Sequence, residues 1–202
     1  MASWLKSEPL VLASKSEIRR QILAASGIPV DVRPAAVDER SIESEARPAS
    51  AATVARLLAA AKAKAVSDGM PSRAVLGADQ TLGIDGRTFA KPPDRAAARA
   101  QLGLLRGRTH ELHSAVAVVQ DGNVVFEFVG SARLTMRPFS EAFLDRYLDT
   151  VGAAAMQSVG CYQLEGFGIH LFERIDGDHF TILGLPLLPL LEFLRSQGWL
   201  DA

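Results

Sequence analysis

Three stretches of this chain carry side chains suited to holding phosphate or a metal, and each follows an apolar run. The first is Ser14-Lys15-Ser16-Glu17-Ile18-Arg19-Arg20. Hydroxyl residues at a strand-to-helix turn sit beside the free N–H groups of the helix start, and two arginines follow in the first turns. A helix N-terminus attracts anions through those N–H groups and the helix dipole, and arginine adds a two-pronged fork. The second is Gly77-Ala78-Asp79-Gln80, followed twelve residues on by Lys91-Pro92. A carboxylate at the end of a buried strand can hold Mg²⁺ or orient water, and a lysine returning after a hairpin can neutralise a phosphate oxygen. The third is Cys161-Tyr162-Gln163-Leu164-Glu165-Gly166-Phe167-Gly168, where glycines around Glu165 would let a ligand approach closely. Each set alone also has an ordinary reading: a capped helix, a turn aspartate with a surface lysine, a loop that needs glycine.

Other polar residues carry less. His110 and His113 lie three apart in an expected strand and so face opposite sides, which argues against a metal pair. His170 and His179 read as polar surface or satisfied core groups, and Cys161 as a small buried residue. Phe167, Phe172, Phe180 and Phe193 read as core. No P-loop, no G-x-G-x-x-G and no H-E-x-x-H occurs in the sequence.

The elements that must position these residues follow from pattern. Pro9 to Ser14 reads as a short buried strand. Ser16 caps a helix with Ile18, Ile22 and Leu23 at helical spacing, which Gly27 stops. Val30 to Val32 starts a second strand. Ser41 to Ser50 is polar and rich in Glu and Ser, and reads as a loop. Ala51 to Ser67 is an alanine-rich helix. Ala74 to Gly77 is a buried strand ending at Asp79, and Asp85-Gly86 signals a hairpin. Asp94 caps a helix to about Leu105. His110 to Val119 and Asn123 to Met136 form two long strands joined at Asp121-Gly122. Ser140 begins a helix to about Asp149, and Pro186 to Gln197 forms the last one. Periodicity leaves Phe167 to Ile175 open between helix and strand. Interleaved strands and helices with hairpins predict one α/β domain over residues 1–202, built on a mixed, twisted sheet with flanking helices.

Composition sets the outer limits. The chain has 202 residues, 48% of them hydrophobic, enough for a substantial core. A formal charge of −1 offers no general attraction to nucleic acid or acidic membranes, and no basic–aromatic stripe supports RNA binding. With Cys161 alone there is no internal disulfide and no thiolate zinc cluster, which fits a reducing compartment. The start of the chain makes a poor signal peptide, and no apolar run reaches the ~20 residues that span a bilayer. The expectation is a cytoplasmic protein.

In order along the chain, these motifs resemble one family, the Maf (septum-formation-inhibitor-like) nucleotide pyrophosphatases. The family opening L-A-S-x-S-P-x-R-R-x-L-L corresponds to Leu12 to Leu23, V-D-E to Val37-Asp38-Glu39, and L-A-x-x-K-A to Leu58 to Ala63. Gly77-Ala78-Asp79-Gln80, Lys91-Pro92 and Gly107 to His110 follow. The closing pattern falls at Glu165-Gly166, Ile175 to Asp178, and Gly184-Leu185-Pro186-Leu187. The resemblance implies two lobes around a cleft, as in inosine triphosphate pyrophosphatases, a homodimer, and a divalent cation (Mg²⁺, Mn²⁺ or Co²⁺) held by Glu39 and Asp79. It implies Asp79, Glu39 and Lys91 as catalytic residues, with Ser14, Ser16, Arg19 and Lys62 on the phosphates. The implied reaction splits a nucleoside triphosphate into monophosphate and pyrophosphate.

The same resemblance ties substrate choice to the positions of Ile18, Gln80 and Glu165. The family's pyrimidine-type branch, acting on dTTP and UTP, has Arg, Thr and Gln there. Gln80 and Glu165 are similar to the 7-methyl-GTP branch instead, in which an acid would favour a positively charged base. Two residues depart from the pattern: Glu17 replaces a proline, and Ile18 stands where that branch has an aromatic residue. A nucleotide-binding regulator of cell division without catalysis is the reading from another class.

Overall fold

The computed structural model describes residues 4–46 and 49–201. Seven strands form one sheet in the order β2-β1-β3-β5-β6-β7, with β4 joined to β3. They are β1 (Leu10–Leu12), β2 (Val30–Val32), β3 (Val75–Ile84), β4 (Arg87–Phe89), β5 (Thr109–Gln120), β6 (Asn123–Met136) and β7 (Phe172–Asp176). β1 runs parallel to β2 and β3, and every other pairing is antiparallel. The mixed α/β sheet expected from the sequence is present.

The helices are α1 (Glu17–Ala25), α2 (Glu39–Glu45), α3 (Ala51–Ser67), α4 (Arg95–Leu105), α5 (Glu141–Val151), α6 (His179–Ile182) and α7 (Leu187–Ser196). Alternation along the strands divides the core. Odd-numbered residues of β3 and β5, with Val11 of β1, turn toward α3, where small side chains meet: Ala55 and Ala59 pack with Ala115 and Ala117. At Gly77 the approach is closest, since a Cβ there would lie 2.0 Å from the Ala59 carbonyl oxygen. Even-numbered residues build two clusters on the opposite face. One joins Leu10, Leu12, Leu76 and Val116 to α1 and α7, and the other joins Leu82, Leu112 and Leu134 to α4 and α5. Gln80, Ser114 and Gly130, paired across β3, β5 and β6, form a row between the two clusters.

Several expectations are revised. Ser41 to Ser50 is not all loop. Glu39–Glu45 is helical, with the Asp38 carboxylate accepting from the Ser41 N–H and the Ser41 hydroxyl donating to Glu45. None of its residues is buried, so capping rather than an apolar stripe sustains this turn, and periodicity gave no signal. Arg47 and Pro48, also in that expected loop, lie outside the described residues. β3 does not end at Asp79. It runs on to Ile84 because β5 pairs with it from Val75 to Gly83 without a break. Phe167 to Ile175 divides into a 3-10 turn, Phe167–Leu171, and β7. Phe167 is 47% exposed rather than core, whereas Phe193 is buried and stacks on Phe126. His110 and His113 face opposite sides as expected: His110 is buried, and His113 Nδ1 lies 2.8 Å from the Ser131 hydroxyl.

Candidate active site

The edge of β3 that faces β1 changes partner along its length. β1 pairs with it at Val75 and Leu76, and β4 pairs with it at Leu82 to Ile84. Between them, Gly77 to Thr81 has no strand on that side among the described residues, and the chemistry-bearing residues gather around this gap. The Val11 and Ala13 N–H groups bind the carbonyls of Ala74 and Leu76. The next carbonyl on that edge, Ala78 O, is left over where β1 ends, and Arg19 Nη1 donates to it at 2.8 Å.

Arg19 is held from three directions. Besides Ala78 O, Nη1 donates to the Ser14 hydroxyl at 3.0 Å, and Nε donates to the Gly184 carbonyl at 2.8 Å. All three partners are neutral, and among the described residues the N–H groups of Nη2 have no hydrogen-bond partner. Burial pushes the guanidinium's pKa down, while Asp79 and Glu39 push it up. Arginine keeps its charge in such surroundings. The Ser14 oxygen also accepts from the Ser16 N–H at 3.3 Å, and the Ser16 side chain makes no cap bond to α1.

Asp79 lies in mid-strand, 7% exposed, on the face toward α3. The close packing at Gly77 brings α3 near enough for Lys62 to reach across: its Nζ lies 2.6 Å from Asp79 Oδ1 and 2.7 Å from Glu39 Oε1. Burial raises the Asp79 pKa above the ordinary carboxylate value. Lys62 and Arg19 pull it back, and Glu39 adds to the rise. Lys91, after β4, stands at the exposed rim of the gap. Neighbouring atoms that partly strip its solvent, then Arg19 and Lys62, lower its pKa, while Glu39 and Asp79 oppose them. Three cations and two carboxylates thus share one site, a local surplus of positive charge suited to an anionic tail.

Ser14, Arg19, Glu39, Lys62, Asp79 and Lys91 are therefore brought together from distant stretches. Lys62, expected on phosphate, bridges the two carboxylates. Gln80 points to the opposite face from Asp79, where its amide nitrogen donates to Ser114 Oγ and to the carbonyl oxygens of Ile182 and Thr181. Ile18 packs against the core beneath α1. Glu165 is exposed in the loop after Tyr162. Sequence reasoning missed Ser114 and the carbonyls of Ala78 and Gly184. A serine in an apolar strand and a main-chain oxygen leave no sequence signature, although Gly184 was visible within its motif.

Asp79 and Glu39 offer hard carboxylate oxygens facing one cation, Lys62. Among the described residues no group of three or more His, Cys, Asp or Glu gathers at one point. Two carboxylates with the remaining positions filled by phosphate and water is the pattern Mg²⁺ accepts, so the donor set fits such an ion.

Among solved structures, the chain is similar to the nucleoside-triphosphatase (dITP/XTP pyrophosphatase) of Mycobacterium abscessus, with a TM-score of 0.44, 17% identity, and coverage of 95% of this chain and 94% of that one. It is 57% identical over 200 residues to a protein of Nitrobacter winogradskyi named nucleoside triphosphate pyrophosphatase, covering 99% of this chain and 98% of the relative. It is 50% identical over 194 residues to the 7-methyl-GTP pyrophosphatase of Rhizobium etli, covering 95% and 98%. The family described as Maf-like protein matches residues 9–197, which span every group in the site from Ser14 to Gly184. The chain belongs to the Maf-like protein family.

Proposed function

We propose that this protein is a nucleoside triphosphate pyrophosphatase, a hydrolase acting on acid anhydrides, and that the gap in the β3 edge is its active site. The observation that carries the reading is the buried Asp79 carboxylate held by Lys62 at 2.6 Å beside an Arg19 fixed by neutral oxygens. Water attacks the α-phosphorus, the bond from that phosphorus to the α–β bridging oxygen breaks, and pyrophosphate leaves with the bridging oxygen. Asp79 orients the water and takes its proton, and burial makes it a stronger base than an ordinary aspartate. Lys62 keeps Asp79 and Glu39 apart and aligned. Arg19 Nη2, Lys91 and the Ser14 and Ser16 hydroxyls receive the phosphate oxygens and offset the charge that develops on the leaving group. Glu39 and Asp79 would hold the divalent cation, which when bound supplies further positive charge at the phosphates.

Among bases, the reading we favour is 7-methylguanine. Glu165 is an exposed carboxylate able to meet a positively charged base, and the Rhizobium etli relative carries that name. The alternative is a pyrimidine nucleotide such as dTTP or UTP. We further assign a homodimer contact to the outer edge of β6 from Asn123 to Ser131. Among the described residues it has no neighbouring strand, and it exposes Val124, Val125 and Phe128. A sedimentation mass of one chain refutes that contact.

The test is pyrophosphate release from a panel of 7-methyl-GTP, GTP, dTTP and UTP with Mg²⁺ or Mn²⁺. Asp79→Asn is expected to lose about 10²–10⁴-fold in kcat while still binding nucleotide. Binding without pyrophosphate release by the wild type would establish the regulatory reading instead. Glu165→Gln is expected to narrow the preference for 7-methyl-GTP over GTP, and an unchanged ratio removes Glu165 from base selection.

A further inference from the structure

The row Gln80–Ser114–Gly130 crosses three strands in register and separates the two core clusters on its face of the sheet. It is the seat of α6. The Ser114 hydroxyl, fully buried, donates to the Thr181 carbonyl at 2.7 Å. Since that hydroxyl spends its proton there, it accepts from Gln80 Nε2 at 2.9 Å. The second Gln80 N–H donates to Ile182 O at 2.9 Å, with Thr181 O at 3.3 Å. Gly130 completes the seat by having no side chain: a Cβ there would lie 2.7 Å from Thr181 Oγ1.

Four residues make α6 too short to hold its own shape. Asp178 caps its start by accepting from the Thr181 N–H at 2.7 Å, and the Gln80–Ser114 pair satisfies its carbonyl end. The chain then turns through Gly184 at φ +91 and delivers that residue's carbonyl to Arg19 Nε. Of the three oxygens that fix Arg19, Ser14 Oγ comes from the turn after β1 and Ala78 O from β3. Only Gly184 O arrives from the α6 segment. Without it the guanidinium keeps its Nη1 bonds but loses the contact that sets its plane.

We infer that Gln80 and Ser114 are positioning residues, whose latch on the Thr181 and Ile182 carbonyls holds Gly184 in place and thereby aims Arg19 at the phosphate tail. This rests on the proposed function only in taking a nucleotide phosphate as the group Arg19 meets. It gives Gln80 a role that is the same for every base, in place of the base-reading role the family resemblance implies. Any nucleotide sharing the triphosphate should feel the loss of the latch equally.

The test is a double-mutant cycle on the full chain. Ser114→Ala, Gln80→Met, Arg19→Lys and the two combinations with Arg19→Lys are compared with wild type by calorimetric binding of α,β-methylene analogues of GTP and UTP, and by steady-state turnover. Each latch variant is expected to weaken binding about tenfold, the equivalent of one charge-assisted hydrogen bond, for both analogues alike. On the Arg19→Lys background neither should weaken it further. Additive losses, or a change in the GTP-to-UTP ratio, overturn the latch. Melting curves identify a variant that does not fold; if Ser114→Ala fails, Gln80→Met carries the cycle. Should the wild type bind the analogues yet release no pyrophosphate from true substrates, the hydrolytic reading fails while the binding cycle still decides the latch. Absence of binding refutes both.

Discussion

Replacing His110 by leucine should make the protein's stability less sensitive to mild acid. His110 is 1% exposed, its Nε2 lies 2.7 Å from the Tyr162 hydroxyl, and its Nδ1 is buried with no hydrogen-bond partner among the described residues. Burial pushes its pKa down from 6.5 to about 4. The folded state therefore favours the neutral ring, and the unfolded chain binds a proton first as pH falls. Stability from this depressed pKa is complete above about 6.5, drains away below it, and stops falling near 4. With those two values the loss is ~0.1 kcal/mol at pH 7.5 and ~2 kcal/mol at pH 5, at ~0.6 kcal/mol for RT. His110→Leu removes this dependence along with the Tyr162 bond, whose loss is a constant offset. Urea unfolding of both proteins at pH 7.5 and pH 5 reads the difference. The gap between wild type and variant should shrink by ~2 kcal/mol at the lower pH. A gap that stays constant refutes the claim that this ring is buried neutral. The same contact holds Tyr162, from which the chain leads through Gln163 and Leu164 to Glu165, the residue proposed above to select the base.

Two further outcomes follow from the packing around Asp79. Lys62 lowers the Asp79 pKa by charge and by hydrogen bonding, so Lys62→Met should raise it. A base works deprotonated and fails as pH drops through its pKa, so the acid limb of the kcat/KM profile should move to higher pH. A limb that stays put or moves the other way counts against Asp79 as the base. At Gly77 an added Cβ would lie 2.0 Å from the Ala59 carbonyl oxygen and 2.8 Å from the Ala63 nitrogen, both helix backbone that cannot swing aside. Gly77→Ala should force α3 off the sheet at a cost of about 3 kcal/mol, and the Lys62–Asp79 bond should lengthen with it. An unaltered denaturation midpoint with unaltered activity would show that α3 does not set this distance.

Much of this protein is legible locally. Ala51–Ser67 and Arg95–Leu105 were set by alanine-rich or amphipathic runs behind a serine or aspartate cap, and Asp85-Gly86 and Asp121-Gly122 marked the two hairpins. Both aspartates take positive φ at 49° and 50°, the backbone that such turns demand. The chemistry-bearing residues were also legible, because a carboxylate, a lysine and an arginine announce themselves by type. Their geometry was not. Asp79 reads as the end of a strand because Asp79-Gln80-Thr81 breaks an apolar run, yet β5 carries the strand through it.

The site itself, a vacancy on the β3 edge between β1 and β4, depends on where two short strands stop and start, and pairing across long separations decides that. The role of Lys62 and the seat beneath α6 depend likewise on which faces meet: Gly77 admits α3, and Gly130 admits Thr181. The sequence alone determined which groups could handle a phosphate and which segments would be helix or strand, because propensity, capping and residue chemistry act over a few neighbours. Only the tertiary structure decided which of those groups share one pocket and which atoms hold them still, because those contacts join residues as far apart as Arg19 and Gly184.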